Sequence, residues 1–254
     1  KLSLTGVLHM STEKKSRLET VSASHFCPLC GALSNETTCA LDGAITIALG
    51  DNDYSDAPLA SDDVVDGRYR VVQVCGKGSF GYVFRAEHTR TGQAVALKVL
   101  HAERDQDQAG ERFLKEGRVL GRLRHSSTVQ IFDVGTTVDG APYIAMEFIE
   151  GPNLEQVIAH ASVQDGALTE AQALDVVLPV LGSLTEAHGL GLIHRDLKPA
   201  NILLTQVADE PLVVKVVDFG VVRTQDSQLT SERSSIGTPR YMSPEQCRGE
   251  VVDA

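Results

Sequence analysis

A chain of 254 residues with 42% hydrophobic and 22% charged content can bury a sizeable core and is not a disordered tail. Its formal net charge of −11 is uneven: residues 1–67 carry 4 Lys/Arg against 10 Asp/Glu, and residues 68–254 carry 19 against 24. No basic patch invites nucleic acid or anionic lipid, no apolar run approaches the ~18 residues of a membrane helix, and no signal peptide is evident, so the visible part is expected to be soluble.

Residues 1–24 read as a disordered tail, with Met10-Ser11-Thr12 as the expected true start. Residues 25–46 follow with a different chemistry. Cys27-Pro28-Leu29-Cys30-Gly31 has the shape of a zinc knuckle, two thiolates two residues apart and a glycine for the turn round the metal. Cys39-Ala40-Leu41-Asp42-Gly43 resembles a second knuckle whose last cysteine has become Asp. The ligand set is then Cys27, Cys30, Cys39 and Asp42, with His25 as the alternative fourth. A degenerate ribbon without metal, or a disulfide in an exported chain, are the competing readings. Residues 47–67 read as an acidic flexible linker, since Asp51 to Asp66 holds six Asp and no basic residue.

Tyr69 to Gly76 reads as a strand that runs into Gly76-Lys77-Gly78-Ser79-Phe80-Gly81-Tyr82-Val83. Glycines at that spacing let a backbone fold over phosphates. The same pattern marks dinucleotide folds when a helix follows, but a strand follows here, with Val83, Arg85 and Glu87 alternating with Tyr82, Phe84 and Ala86. Thr91-Gly92 signals a turn, and Ala94 to Leu100 a return strand containing Val95-Ala96-Leu97-Lys98. A helix is expected over Ala109 to Arg124, with Phe113, Leu120 and Leu123 as its apolar stripe and Glu116 inside that stripe, a costly place for an unpaired carboxylate. Gly117 and Gly121 weaken this helix by about 1 kcal/mol each relative to Ala, so it depends on docking. Tyr143 to Phe148 is a short strand that Gly151-Pro152 ends. Thr169 to His188 is the strongest helix, opened by a Thr169/Gln172 capping box, with Leu174, Leu178, Leu181 and Leu184 on one face and a kink expected at Pro179. It leads to His194-Arg195-Asp196-Leu197-Lys198-Pro199-Ala200-Asn201 and then Asp218-Phe219-Gly220. A polar Ser/Thr-rich stretch closes on Gly237-Thr238-Pro239-Arg240-Tyr241-Met242-Ser243-Pro244-Glu245.

These motifs, in this order, resemble the protein kinases, and in particular the bacterial eukaryotic-like (Hanks-type) Ser/Thr kinases, some of which carry a short zinc-ribbon-like segment before the kinase domain. The resemblance covers roughly residues 68–254. It implies an α+β, bilobal protein-kinase fold with a β-rich N-lobe (68–148) and a partial α-rich C-lobe (149–254). ATP would lie under Gly76, Lys77, Gly78, Ser79, Phe80 and Gly81, with Val83, Ala96, Glu147 and Ile149 among the nucleotide-binding positions and Met146 as gatekeeper. Lys98 would pair the phosphates and form an ion pair with Glu116; Asn201 and Asp218 would hold magnesium; Asp196 would take the proton of a Ser/Thr hydroxyl and Lys198 offset the phosphoryl charge. Thr230, Ser231, Ser234 and Ser235 would be phosphosites, with Arg195 as the basic partner of such a phosphate and Thr238 orienting Asp196 and Lys198.

Departures are mild. Ser126-Ser127 stands where Pro-Asn is usual after His125, and Cys75, a small strand hydrophobe or a reachable thiol, replaces an aliphatic residue. Kinase domains normally continue past Ser-Pro-Glu into helices that anchor the catalytic loop and pair the Glu245 position, so the chain reads as a fragment, with an apolar face left uncovered in its large lobe. The expected activity is ATP- and Mg-dependent phosphorylation of protein Ser/Thr residues in the cytoplasm, including its own activation loop through self-association. The alternative is a catalytically silent nucleotide-binding scaffold that recruits partners through the N-terminal segment.

Overall fold

A computed structural model describes residues 25–26, 33–34, 36, 40, 47–48, 54–78, 80–101, 106–163, 166–205, 212–219 and 239–253. Two compact units divide the chain, one of residues 54–148, 181–198 and 216–254, the other of residues 1–53, 149–180 and 199–215.

The first unit is built on a six-stranded antiparallel sheet. Strand β4 (Val64–Val65) leads to β5 (Tyr69–Lys77), β6 (Gly81–His88), β7 (Ala94–Leu100), β8 (Ile131–Thr136) and β9 (Pro142–Glu147), in the spatial order β4-β5-β6-β7-β9-β8. The period-2 pattern sets two faces. Tyr82, Phe84 and Ala86 of β6 join Val71, Leu97, Val99 and Tyr143 in one buried cluster. Val83 faces the other way, with Ala96, Val129 and Met146.

Residues 54–67 depart from the expectation of a flexible linker. Tyr54, Ala57 and Leu59 pack on the buried cluster, and Val65 is 2% exposed. Asp56 accepts a hydrogen bond from Lys77 at 2.5 Å, and Arg68 pairs with both Asp66 and Asp133 while donating to the Tyr143 hydroxyl at 3.0 Å. The segment's four aspartates dominate the composition, but the apolar side chains between them decide the packing, because their burial offsets the cost of ordering the backbone.

Helix α1 (Gln106–Leu120) packs on β8 and β9. Phe113, Leu120 and Leu123 are buried as expected. The helix stops short of Arg124 because Arg122 and Leu123 switch to bonds with Val119 and Leu120, a tightened final turn. The connection that follows is anchored to helix α3 (Glu170–Gly189): the Glu186 carboxylate accepts the Arg124 and His125 N–H groups at 2.8 Å each, and the Thr128 and Ser183 hydroxyls bond at 2.7 Å.

The Thr169/Gln172 capping box of α3 forms, with Thr169 N–H donating to Gln172 Oε1 at 2.9 Å. The helix runs through Pro179. Its buried face differs from the expected one. Val176, Val180, Ser183 and Ala187 are buried, whereas Leu174, Leu178 and Leu181 are 46%, 60% and 52% exposed. Two apolar stripes compete in this helix, and the one with smaller residues is the one that docks.

In the second unit β1 (His25–Phe26) pairs antiparallel with β2 (Leu33–Ser34) and β3 (Ile47–Ala48). Helix α2 (Leu154–Val163) is capped reciprocally by Asn153 and Gln156 at 2.9 Å. Strands β10 (Ile202–Thr205) and β11 (Val213–Val216) form a two-stranded sheet. A Cβ on Gly151 would run into the Leu204 carbonyl, so this approach of two backbones requires glycine. Among the described residues, no helix is long and apolar enough to cross a membrane.

Candidate active site

The glycine-rich turn joins β5 to β6. Gly78 N–H donates to the Gly81 carbonyl at 2.8 Å, and His101 N–H to the Phe80 carbonyl at 3.0 Å, closing the turn on the end of β7. Lys77 lies on the outer side with Asp56, its ammonium 5.3 Å from the Tyr82 ring centre. Cys75 lies in β5, as expected, and is exposed. Ser79 lies outside the described residues.

Register places the neighbours of the turn. Lys98 stands opposite Val83 on one side and Ile144 on the other, two residues from Ala96 and on the same face. Val83, Ala96, Val129 and Met146 thus make an apolar slot, and Lys98 and Asp218 stand with Val129 and Met146 in the wall of one cleft. Glu147 is held at the end of β9, its N–H bonded to the Gln130 carbonyl at 2.8 Å.

The ion pair expected between Lys98 and Glu116 is not made. Lys98 Nζ bonds Asp218 Oδ1 at 2.5 Å, and Glu116 Oε2 is buried with no hydrogen-bond partner among the described residues. Burial pushes the Glu116 carboxyl up from 4.5 to about 7, against the pull of Arg195 and Arg112. For Asp218, burial acts upward, but the attraction of Lys98 and its hydrogen bond, with Lys198 behind it, outweigh that and hold the carboxyl below its ordinary value. The two shifts follow from the pairing: the carboxyl beside Lys98 is held low, and the one left without a cation partner at hydrogen-bond distance is pushed up by burial.

His194, Asp196 and Lys198 enter from the loop after α3. His194 is 2% exposed, its Nε2 is 3.0 Å from the Val217 carbonyl, and its ring packs on Phe219 with centroids 4.6 Å apart. Burial lowers its pKa, so the imidazole is a neutral strut. Asp196 Oδ2 pairs with Lys198 Nζ at 3.2 Å. Two residues here hold left-handed backbone, Arg195 at φ 60° and Asp218 at φ 56°. Such conformations cost non-glycine residues about 1–3 kcal/mol and persist only where the surroundings dictate them. Arg195 adjoins the Asp196 carboxylate, and Asp218 itself bears the carboxylate that pairs with Lys98.

The second unit holds Asn201, buried at 7% exposure in the 3-10 turn Pro199–Asn201, and Ile149 before α2. Thr230, Ser231, Ser234, Ser235 and Thr238 lie outside the described residues, as do Cys27, Cys30, Cys39 and Asp42. Among the described residues no cluster of His, Cys, Asp and Glu could hold a metal. Sequence reasoning missed the Phe219–His194 stack and the start of helix α4 (Pro244–Arg248), where Ser243 and Gln246 form a complete capping box. The Ser-x-x-Gln pattern was a signal for the latter.

Residues 69–254 match a family model described as protein kinase domain. The chain is 40% identical over 192 residues to the serine/threonine-protein kinase pkn3 of Myxococcus xanthus, covering 73% of this chain and 34% of that one. It is 41% identical over 198 residues to the probable serine/threonine-protein kinase PknB of Corynebacterium glutamicum, covering 75% and 29%. It therefore spans about a third of the length of these curated relatives. The crystal structure of the Mycobacterium tuberculosis PknI kinase domain is similar with a TM-score of 0.59 at 33% identity, over 77% of this chain and 71% of that one.

Proposed function

The chain belongs to the protein kinase domain family, and from that premise we propose that it transfers the γ-phosphoryl group of ATP to Ser and Thr hydroxyls of bacterial proteins. The observation that carries the reading is the convergence in one unit of Lys98, Asp218, Asp196 and Lys198 beside an apolar slot of Val83, Ala96 and Met146. On this reading the adenine would lie in the slot beside Glu147, with Ile149 a further nucleotide-binding position, and the glycine-rich stretch Gly76 to Gly81, including Lys77, Ser79 and Phe80, would bind the phosphates. Asp218 is kept ionised and Asn201 supplies an amide oxygen, a hard-oxygen set suited to magnesium, which would neutralise phosphate charge when bound.

Asp196 accepts the proton of the substrate hydroxyl as its oxygen bonds to phosphorus and the bond to the ADP oxygen breaks. Lys198, already at Asp196, and Lys98 offset the charge on the phosphoryl oxygens. Glu116 is the second anchor of Lys98, reached when α1 brings it closer. The segment with Thr230, Ser231, Ser234 and Ser235 is the self-phosphorylated one, modified by a second copy, with Arg195 receiving the phosphate and Thr238 steadying Asp196 and Lys198. Because the reaction consumes ATP, the kinase domain belongs in the cytoplasm.

The N-terminal segment extends this reading. His25–Phe26 pairs antiparallel with Leu33–Ser34 on either side of Cys27-Pro28-Leu29-Cys30-Gly31, which supports a zinc ribbon with Cys27, Cys30, Cys39 and Asp42 as ligands. The test uses the full-length protein with labelled ATP and magnesium. Label is expected on Ser/Thr of added protein and on the 230–235 stretch, falling at least about 100-fold in Lys98→Met and Asp218→Asn. Equal transfer by either variant would refute the assignment. Metal analysis of the same preparation is expected to give stoichiometric zinc that Cys30→Ser removes; its absence from the wild-type protein rules the ribbon out.

A further inference from the structure

Gln246 stands outside every motif named so far, yet its side chain reaches the catalytic loop. Ser243 N–H donates to Gln246 Oε1 at 3.0 Å, the reciprocal half of the capping box that opens α4. That bond fixes the carboxamide, and its other end, Nε2, donates to the Arg195 carbonyl at 2.7 Å. The orientation of the amide follows from chemistry: a backbone N–H can only donate and a carbonyl can only accept.

The Arg195 carbonyl belongs to the peptide that joins Arg195, at φ 60°, to Asp196. The N–H of the same peptide donates to the His194 carbonyl at 2.8 Å. Its plane is therefore held from both sides, by the carboxamide of Gln246 and by His194. Any rotation of this plane would swing the Asp196 carboxylate. We infer that Gln246 is a positioning residue for Asp196, holding the left-handed Arg195 conformation and coupling the end of the Ser/Thr-rich segment to the catalytic loop. This rests on Asp196 as the proton acceptor of the proposed transfer.

The test compares Gln246→Glu with Ser243→Ala in the full-length protein. Glutamate keeps the acceptor for Ser243 N–H but sets a carboxylate oxygen against the Arg195 carbonyl; alanine at 243 removes the hydroxyl half of the cap and leaves both carboxamide bonds. Gln246→Glu is expected to lower kcat about 10- to 100-fold with KM for ATP unchanged within about 2-fold, the signature of misplacement without lost binding. Ser243→Ala is expected to stay within about 2-fold of the parent. Hydrogen exchange of residues 194–197 is expected to quicken at least about 10-fold in Gln246→Glu while α3 is unchanged, a local opening that general destabilisation would not give. Parental kcat in Gln246→Glu, or unchanged exchange of that segment, would overturn the inference. A parent that transfers no phosphate would instead defeat the kinase reading, and the exchange measurement would still decide the role of Gln246.

Discussion

Glu116 occupies a position that the apolar stripe of α1 makes expensive, and its protonation carries the cost. Its folded pKa of about 7 lies above the 4.5 of an unburied glutamate. Between those values the unfolded chain has already released the proton that the folded chain retains, so stability falls as pH rises from about 4.5 to 7 and is level above it. The whole shift is worth about 3 kcal/mol, which partial exposure of the group reduces to about 1–2 kcal/mol. Glu116→Gln lacks the titration. The difference in Tm between Glu116→Gln and the parent should therefore grow in favour of the variant between pH 5 and pH 8, and a constant difference would show that Glu116 is not held neutral. The residues themselves were legible, because the spacing of Asp196, Asn201 and Asp218 and the V-A-L-K strand specify chemistry by order alone. The partner of Lys98 was not. Which carboxylate it takes depends on which one the fold brings within reach of its ammonium, a tertiary quantity that spacing does not carry.

At the scale of elements, equal letters in a motif do different work. Gly76, Gly78 and Gly81 read alike in sequence, but a Cβ on Gly76 would meet nothing within 4 Å, whereas one on Gly81 would run into the Val99 carbonyl where β6 pairs with β7. Gly81→Ala should force those strands apart and cost about 2 kcal/mol, roughly 4–8 °C in Tm. Gly76→Ala should leave Tm within roughly 2 °C, and on the proposed reading, with ATP phosphates under this turn, it should raise KM for ATP instead. Equal melting of the two variants in a calorimeter would contradict this division. Strand and helix existence was readable throughout the sheet, as the alternation in β6 and the cap of α3 illustrate. The face of α3 was not, because Leu174, Leu178 and Leu181 form as good a stripe as Val176, Val180, Ser183 and Ala187, and spacing alone does not say which stripe meets the rest of the fold.

For the whole molecule, the match to the kinase family begins at residue 69, but the folded unit begins earlier. Composition could not reveal this: Tyr54, Ala57, Leu59 and Val65 are scattered among aspartates, and only the packing shows that they cover the outer core of the sheet. Asp56 also meets Lys77 of the glycine-rich turn, so the segment contacts that turn as well as the core. Burying side chains of this size contributes about 1.5–3 kcal/mol each when complete, and here Val65 is fully buried while the others are partly so. The full-length protein trimmed to begin at residue 68 should therefore be less stable than one trimmed to begin at residue 54, by at least about 3 kcal/mol in urea unfolding, with the midpoint shifted and some loss of slope. Asp56→Asn should leave the midpoint nearly unchanged, because an exposed ion pair contributes little. If the two trimmed proteins unfold at the same urea concentration, residues 54–67 are a tether after all; if only the shorter one loses stability, the kinase fold of this protein includes its acidic leader.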